Sequence, residues 1–277
     1  MRFAGQSAVI TGGASGIGLA LAAALAREGA HVLIADVEGE KAETHASYLR
    51  TEGCEATGAH VDVSSRTSVE HLAETAFARF THVDYLFNNA GVGVGGPLEK
   101  VRQGSFDWII GVNLAGVYHG VAAFAPRMLA SGRPCRMINT ASEHALGLPP
   151  RGGMATAYTA TKHAVLGLSD GMRRDYAGTA LSVSVLCPGL VQSEIWNSYR
   201  NRPDAAGGPR RLDPKFGEEN SAGLPAGVAA ARILDQLADG HFFLFTHGRD
   251  LREVAEPRAS EVAAALDAFA RRYGPDA

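Results

Sequence analysis

Tyr158 and Lys162 stand four residues apart in Ala157-Tyr158-Thr159-Ala160-Thr161-Lys162, a spacing that stacks both side chains on one face of a helix. A phenol beside an ammonium is a proton-transfer device. Free tyrosine has a pKa of about 10, and a nearby cation favours the phenolate, so the pair can exchange a proton with a substrate hydroxyl near neutral pH. The same spacing occurs in helices that only carry a half-buried ring, so the pair needs support from elsewhere in the chain.

That support comes from the N-terminal segment. Ser7-Ala8-Val9-Ile10-Thr11 reads as a short apolar strand, followed by Gly12-Gly13-Ala14-Ser15-Gly16-Ile17-Gly18 and a helical run from Leu19 to Glu28. Glycines let a backbone turn tightly and approach a pyrophosphate, whose charge the amides and dipole of the new helix attract. Gly12, Gly16 and Gly18 are spaced more widely than the G-x-G-x-x-G fingerprint. The next apolar run, His31 to Asp36, ends in an acid at the place, roughly 20 residues on, where a carboxylate would hold adenosine ribose hydroxyls.

Together these residues resemble the short-chain dehydrogenase/reductase family, whose members carry T-G-x-x-x-G-x-G near the start and Y-x-x-x-K past the middle. The resemblance spans nearly all of the chain. Between the anchors lie, in family order, Asp62-Val63, Asn88-Asn89-Ala90-Gly91, Asn113, Ser142 and Cys187-Pro188-Gly189. The resemblance implies hydride transfer between a secondary alcohol and a nicotinamide cofactor. In that reading Tyr158 exchanges the hydroxyl proton and Ser142 hydrogen-bonds the reacting oxygen. Lys162 lowers the Tyr158 pKa and holds the nicotinamide ribose, while Asn113 extends a water-linked proton path. The cofactor contacts it implies are Gly12, Ser15, Gly16, Ile17, Gly18, Asp36, Val37, Asp62, Val63, Asn89, Ala90, Gly91, Tyr158, Lys162, Pro188, Gly189 and Val191. NAD is expected over NADP, because Asp36 would repel a 2′-phosphate and neither Ser15 nor Val37 supplies a positive charge.

Such side chains need a scaffold that brings distant segments together. Strand patterns near 7–11, 31–36, 55–61, 84–88, 135–140, 181–186 and 241–246, with helices in most gaps, predict an α/β fold. Right-handed crossovers would wind it into one Rossmann-type, doubly wound parallel sheet of about seven strands, with ligands at the carboxyl ends of the strands. Residues 1–248 form the catalytic domain in this reading, with a substrate lid at about 190–225, rich in Pro, Gly and charge. Residues 249–277 form a helical extension whose Val254, Val262, Ala265 and Phe269 would dock on the body or on a partner.

Composition fits and excludes alternatives. The 277 residues are 46% hydrophobic with a formal charge of −3, enough for one sizeable core and without the basic surplus that would suggest nucleic acid or an anionic membrane. No run reads as a signal peptide or as long enough to span a bilayer, which makes a cytoplasmic protein the expectation. Cys54, Cys135 and Cys187 form no C-x-x-C pair and read as reduced thiols, and no metal-ligand spacing is present. A homodimer or homotetramer is expected from apolar faces near 103–130 and 155–177, which in the family pair with neighbouring subunits.

Other function classes remain open. Gly167-Leu168-Ser169-Asp170-Gly171 matches the G-x-S-x-G elbow of α/β-hydrolases, but the preceding residues have helical spacing where the elbow needs a strand, so Ser169 reads as an exposed helix residue. An NADPH-dependent carbonyl reductase on the same fold and a nucleotide sensor without chemistry are the further alternatives. Two features bear on the substrate. Ser142 precedes Tyr158 by more positions than the family usually shows, with Pro149 to Gly153 as the extra length. His144, Ile195, Trp196 and Tyr199 join Ser142 and Tyr158 as candidate substrate contacts, an aromatic-lined mouth that favours an apolar or aromatic alcohol or ketone. The stretch Phe106 to Asn113, with Pro126-Arg127-Met128 and Ser131 to Pro134, is also similar to bacterial family members that oxidise benzylic alcohols of aryl ethers.

Overall fold

The computed structural model describes residues 1–150, 155–212 and 215–274, apart from the side chains of Phe216 and Glu219. Seven strands, β1 (Ser7–Thr11), β2 (His31–Asp36), β3 (Ala56–His60), β4 (Tyr85–Asn88), β5 (Cys135–Thr140), β6 (Leu181–Cys187) and β7 (Phe243–Phe245), form one sheet in the order β3-β2-β1-β4-β5-β6-β7. Every pairing is parallel, which demands a crossover between successive strands and buries both faces of the sheet.

The apolar runs explain how. Residues in the inner strands alternate between two cores: Ile10, Ile34, Phe87 and Ile138 pack with α1 (Gly16–Arg27), α2 (Gly39–Thr51) and, further along the chain, the helix Ala226–Ala238. Val9, Leu33, Leu86 and Met137 turn to the other face. That face is covered by α3 (Arg66–Arg79), α4 (Gln103–Ile110), α5 (Gly116–Ala130) and α6 (Thr156–Asp175). The strand order reverses beside β1, between β2 on one side and β4 on the other, and a crevice opens there at the carboxyl ends.

Two expectations change. Taken together, Gln103–Ala130 is long and apolar enough by composition to cross a membrane, contrary to the reading of the sequence, but its apolar residues serve the core, as with Ile109, Phe124 and Met128. Ser169 is fully buried rather than exposed. It donates to the Val165 carbonyl at 2.7 Å and accepts from Asn139 Nδ2 at 3.0 Å, closing a polar ladder that starts with Asn88 Nδ2 donating to Asn139 Oδ1 at 2.9 Å.

The remaining helices are α7 (Lys215–Ser221), α8 (Ala226–Ala238) and α9 (Arg249–Tyr273). Only the first turns of α9 dock on the body, through Leu251 and Val254, while Val262, Leu266, Phe269 and Tyr273 are exposed. In the extra length between Ser142 and Tyr158, Pro149 and Pro150 are described, whereas Arg151, Gly152 and Gly153 lie outside the described residues.

Candidate active site

The crevice is a cleft whose floor is made of strand ends. At one end Asp36 closes β2, accepting from Ala14 N and Glu38 N at 3.0 Å each, so its carboxylate is fixed while lone pairs remain for ribose hydroxyls. The glycine turn comes next. Gly12 and Gly16 have φ of +64° and +53°, a region that excludes most side chains. A Cβ on Gly12 would come 2.7 Å from Ala90 Cα, and one on Gly18 would run into the Gly12 carbonyl. No side chain caps the first amides of α1 at Ser15, which leaves them available to an anion. A dinucleotide therefore fits these residues.

Thr11 and Asn89 lock the turn to β4. Thr11 Oγ1 accepts from Asn89 N at 3.0 Å and Ala90 N at 3.2 Å, and Asn89 Nδ2 donates to the Thr11 and Gly12 carbonyls at 3.0 and 3.2 Å.

At the far end, α6 brings in Tyr158 and Lys162. Lys162 is 2% exposed, and its Nζ donates to the Thr140 carbonyl at 2.8 Å, standing 5.6 Å from the Tyr158 ring centroid. Asn113 lies in a π-helical turn, Gly111–Ala115, between α4 and α5, the kind of local widening that often marks functional positions. Its side chain is consumed: Oδ1 accepts from Val92 N at 2.8 Å, and Nδ2 donates to Val92 O at 3.0 Å and Thr161 Oγ1 at 3.1 Å. A Cβ on Gly91 would lie 3.5 Å from Lys162 Nζ and 3.6 Å from Asn113 Oδ1, so this glycine separates the two.

Residues 6–204 match the family model described as short chain dehydrogenase. The chain belongs to that family. Among its relatives is the 1-deoxy-11-beta-hydroxypentalenate dehydrogenase of Streptomyces exfoliatus, 38% identical over 249 residues, covering 89% of this chain and 85% of the relative. The C alpha-dehydrogenase of Sphingobium sp. strain SYK-6 is 39% identical over 202 residues, covering 73% of this chain and 65% of the relative. A short-chain dehydrogenase/reductase of Burkholderia phymatum, solved in complex with NAD, superposes with a TM-score of 0.87 at 34% identity, covering 96% of each chain.

Most of the expected cofactor contacts of this family member line the cleft: Gly12, Ser15, Gly16, Ile17, Gly18, Asp36, Val37, Asp62, Val63, Asn89, Ala90, Gly91, Tyr158, Lys162 and Pro188. Gly189 and Val191 do not. Gly189 donates its amide to Thr246 Oγ1 at 3.1 Å, and a Cβ there would strike the His247 ring at 2.7 Å. Val191 is buried and bridged to Leu224.

The electrostatics of the proton-transfer pair differ from the expectation. Desolvation pushes the Tyr158 phenol up to about 12, a hydrogen bond with Ser142 opposing it and Glu143 adding to it, while burial pulls Lys162 down to about 8. Ser142 is held at the start of a short 3₁₀ turn, Glu143–Ala145, where its Oγ also accepts from His144 N at 3.3 Å. The His144 ring stands edge-on to Tyr158, 5.2 Å between centroids, with Nδ1 2.8 Å from Thr159 Oγ1. Burial and the neighbouring His163 and Lys162 charges lower it to about 4, so it is neutral at ordinary pH.

The aromatic mouth is the main correction. Of Ile195, Trp196 and Tyr199, only Ile195 lines the cleft. Tyr199 is 5% exposed in the core, against Trp108 at 5.7 Å and between Arg202 and Arg210, 5.0 and 4.0 Å from its ring. Trp196 packs on α7, where a Cβ on Gly217 would touch the indole at 2.9 Å. Both rings pack within the segment that follows β6 instead of lining the cleft. Two contributors escaped the sequence reading. The Thr140 carbonyl leaves no side-chain signal, and Arg200 lines the cleft from the 3₁₀ segment Ile195–Asn201.

Proposed function

We propose that this enzyme is an NAD-dependent dehydrogenase that interconverts an apolar secondary alcohol and its ketone, working as a homodimer or homotetramer in the cytoplasm. The observation that carries this reading is the pairing of Tyr158 and Lys162 in one cleft that has the Asp36 carboxylate among its walls. Bound nicotinamide would supply the hydride acceptor. In reduction the Tyr158 hydroxyl gives its proton to the carbonyl oxygen, in oxidation its phenolate takes the proton back, and Ser142 donates a hydrogen bond to the same oxygen as its charge changes. Lys162 binds the ribose hydroxyls beside the Thr140 carbonyl. Asn113, its side chain committed to Val92 and Thr161, contributes to the relay by fixing the geometry of the loop that carries Gly91 against α6.

NAD is favoured over NADP because Asp36 would meet a 2′-phosphate with like charge. Neutral His144 stands edge-on beside Tyr158, and Val92, Trp108, Val112 and Ile195 give the cleft an apolar wall. Relatives named for 1-deoxy-11-beta-hydroxypentalenate and for C alpha dehydrogenation agree with a bulky substrate of this kind. The test is an oxidation screen of cyclic, benzylic and short aliphatic secondary alcohols with NAD and NADP, read by absorbance of the reduced cofactor. The expected result is turnover of bulky apolar alcohols with NAD. Turnover confined to small polar alcohols, or equal efficiency with NADP, overturns the reading.

A further inference from the structure

Asp36 is not alone at the adenosine end of the cleft. Its Oδ1 accepts the amide of Glu38 at 3.0 Å, and the Glu38 carboxylate turns toward the lid. There it meets Arg200 in a two-pronged ion pair: Nη2 to Oε2 at 2.7 Å and Nε to Oε1 at 3.4 Å. The partners are 162 positions apart in sequence, and their side chains are only 24% and 27% exposed.

Arg200 lines the same cleft as Asp36 and Val37 and is the only arginine among the described residues that does so. A guanidinium there, beside the ribose-binding acid, is the group that an NADP-binding protein would point at a 2′-phosphate. Here it has little left to offer. Nη1 donates to the Glu194 and Asn197 carbonyls at 3.2 Å each, so with the two bonds to Glu38 four of the five N–H donors of a guanidinium are engaged.

We propose that Glu38 is a specificity-determining residue that acts through Arg200: the ion pair ties the lid to the loop after Asp36 and withholds the guanidinium from a 2′-phosphate. Asp36 repels the phosphate, and Glu38 removes the counter-charge that would offset the repulsion. The two acids thus exclude NADP by different means. Bonding from Arg200 also holds the Glu38 carboxyl below the usual carboxylate range, so it is charged throughout the neutral range and the pair stays closed there.

This inference rests on the NAD reading above, and its test separates the two. Dissociation constants for NADH and NADPH are measured by nicotinamide fluorescence in wild type, Glu38→Gln, Arg200→Gln and the double variant, with no substrate needed. Wild type should favour NADH, and wild-type binding of NADPH as tight as NADH overturns the NAD reading itself. Glu38→Gln should tighten NADPH relative to NADH by at least about tenfold, the scale of a hydrogen bond to a charged group, and added salt should shrink the gain. The gain should vanish in the double variant and be absent from Arg200→Gln, while Glu38→Asp should stay near wild type. If Glu38→Gln changes both nucleotides equally, the pair is a lid fastening alone and the proposal falls. It falls equally if the double variant keeps the gain.

Discussion

The two ends of the cleft are built from different materials. The cofactor end is backbone: strand termini, a glycine turn and loop amides, fixed by neighbouring parallel strands and by Thr11 and Asn89. The other end is side chain and loop: Tyr158 and Lys162 from α6, Trp108 from α4 and Ile195 from the 3₁₀ segment after β6, each arriving from a different part of the chain. A backbone-built site tolerates little change at its glycines, whereas a rim of side chains can be rebuilt for a new substrate without disturbing the nucleotide.

The largest expected effect tests that separation at the junction. Tyr158→Phe removes the proton-transfer group but keeps the ring against His144 and Lys162. Turnover should fall by about 10²–10⁴, the usual contribution of general acid–base catalysis, with the NADH dissociation constant almost unchanged. A matching loss of NADH affinity would mean that the two ends are not separable.

The two ends should also differ in strain, through the buried ammonium of Lys162. Burial lowers Lys162 from 10.5 to about 8. Below pH 8 the lysine is charged in both folded and unfolded chains, and the folded state bears the full desolvation penalty. Between about pH 8 and 10.5 the folded protein releases its proton first, so the unfolded chain binds more protons and stability rises with pH. Lys162→Met should therefore raise the melting temperature of the cofactor-free protein at pH 7, by the equivalent of about 1–3 kcal/mol, and the difference should close toward pH 10. Tyr158, raised to about 12, works in the opposite direction above pH 10, where stability should decline. An unchanged melting temperature at pH 7 would show that the buried ammonium carries no strain.

The smallest effect concerns the rim. Since Trp196 packs on Gly217 in α7, Trp196→Ala should loosen the lid. KM should rise by a similar factor, roughly tenfold or less, for a bulky aryl alcohol and for a small aliphatic one. A selective loss with the aryl substrate would return Trp196 to the substrate pocket and blur the distinction between lid fastener and recognition.

The same division governs what could be read from sequence. Strand ends follow from apolar runs and turn residues, so the sheet, the glycine turn, Asp36, Asn89, Tyr158 and Lys162 were all legible: their positions are set by local periodicity and parallel register. Contacts across the lid were not. Trp196 and Tyr199 look like mouth aromatics in a linear reading, and only tertiary packing against Gly217, Trp108 and two arginines turns them inward. Glu38 and Arg200 carry no mutual signal at their separation. Ser169 looked exposed because a helical pattern does not reveal that Asn139 needs a buried acceptor. The sign of the Tyr158 shift was missed for a related reason. Spacing brings a cation near, but the desolvation that raises the phenol comes from tertiary burial of the ring, which helical spacing does not reveal.

The seat of α9 has one consequence for how the molecule comes into being. Val254 lies so close to Gly147 that any side chain at 147 would collide with its carbonyl, and the helix thereby backs the turn that carries His144. In a chain made from its N-terminus, the cofactor cleft has all its described walls by Pro203, well before that backing is synthesised. The residues that line the cleft are thus all made before the helix that backs the turn after Ser142, while α1, which carries the glycine turn, still awaits its cover from α8.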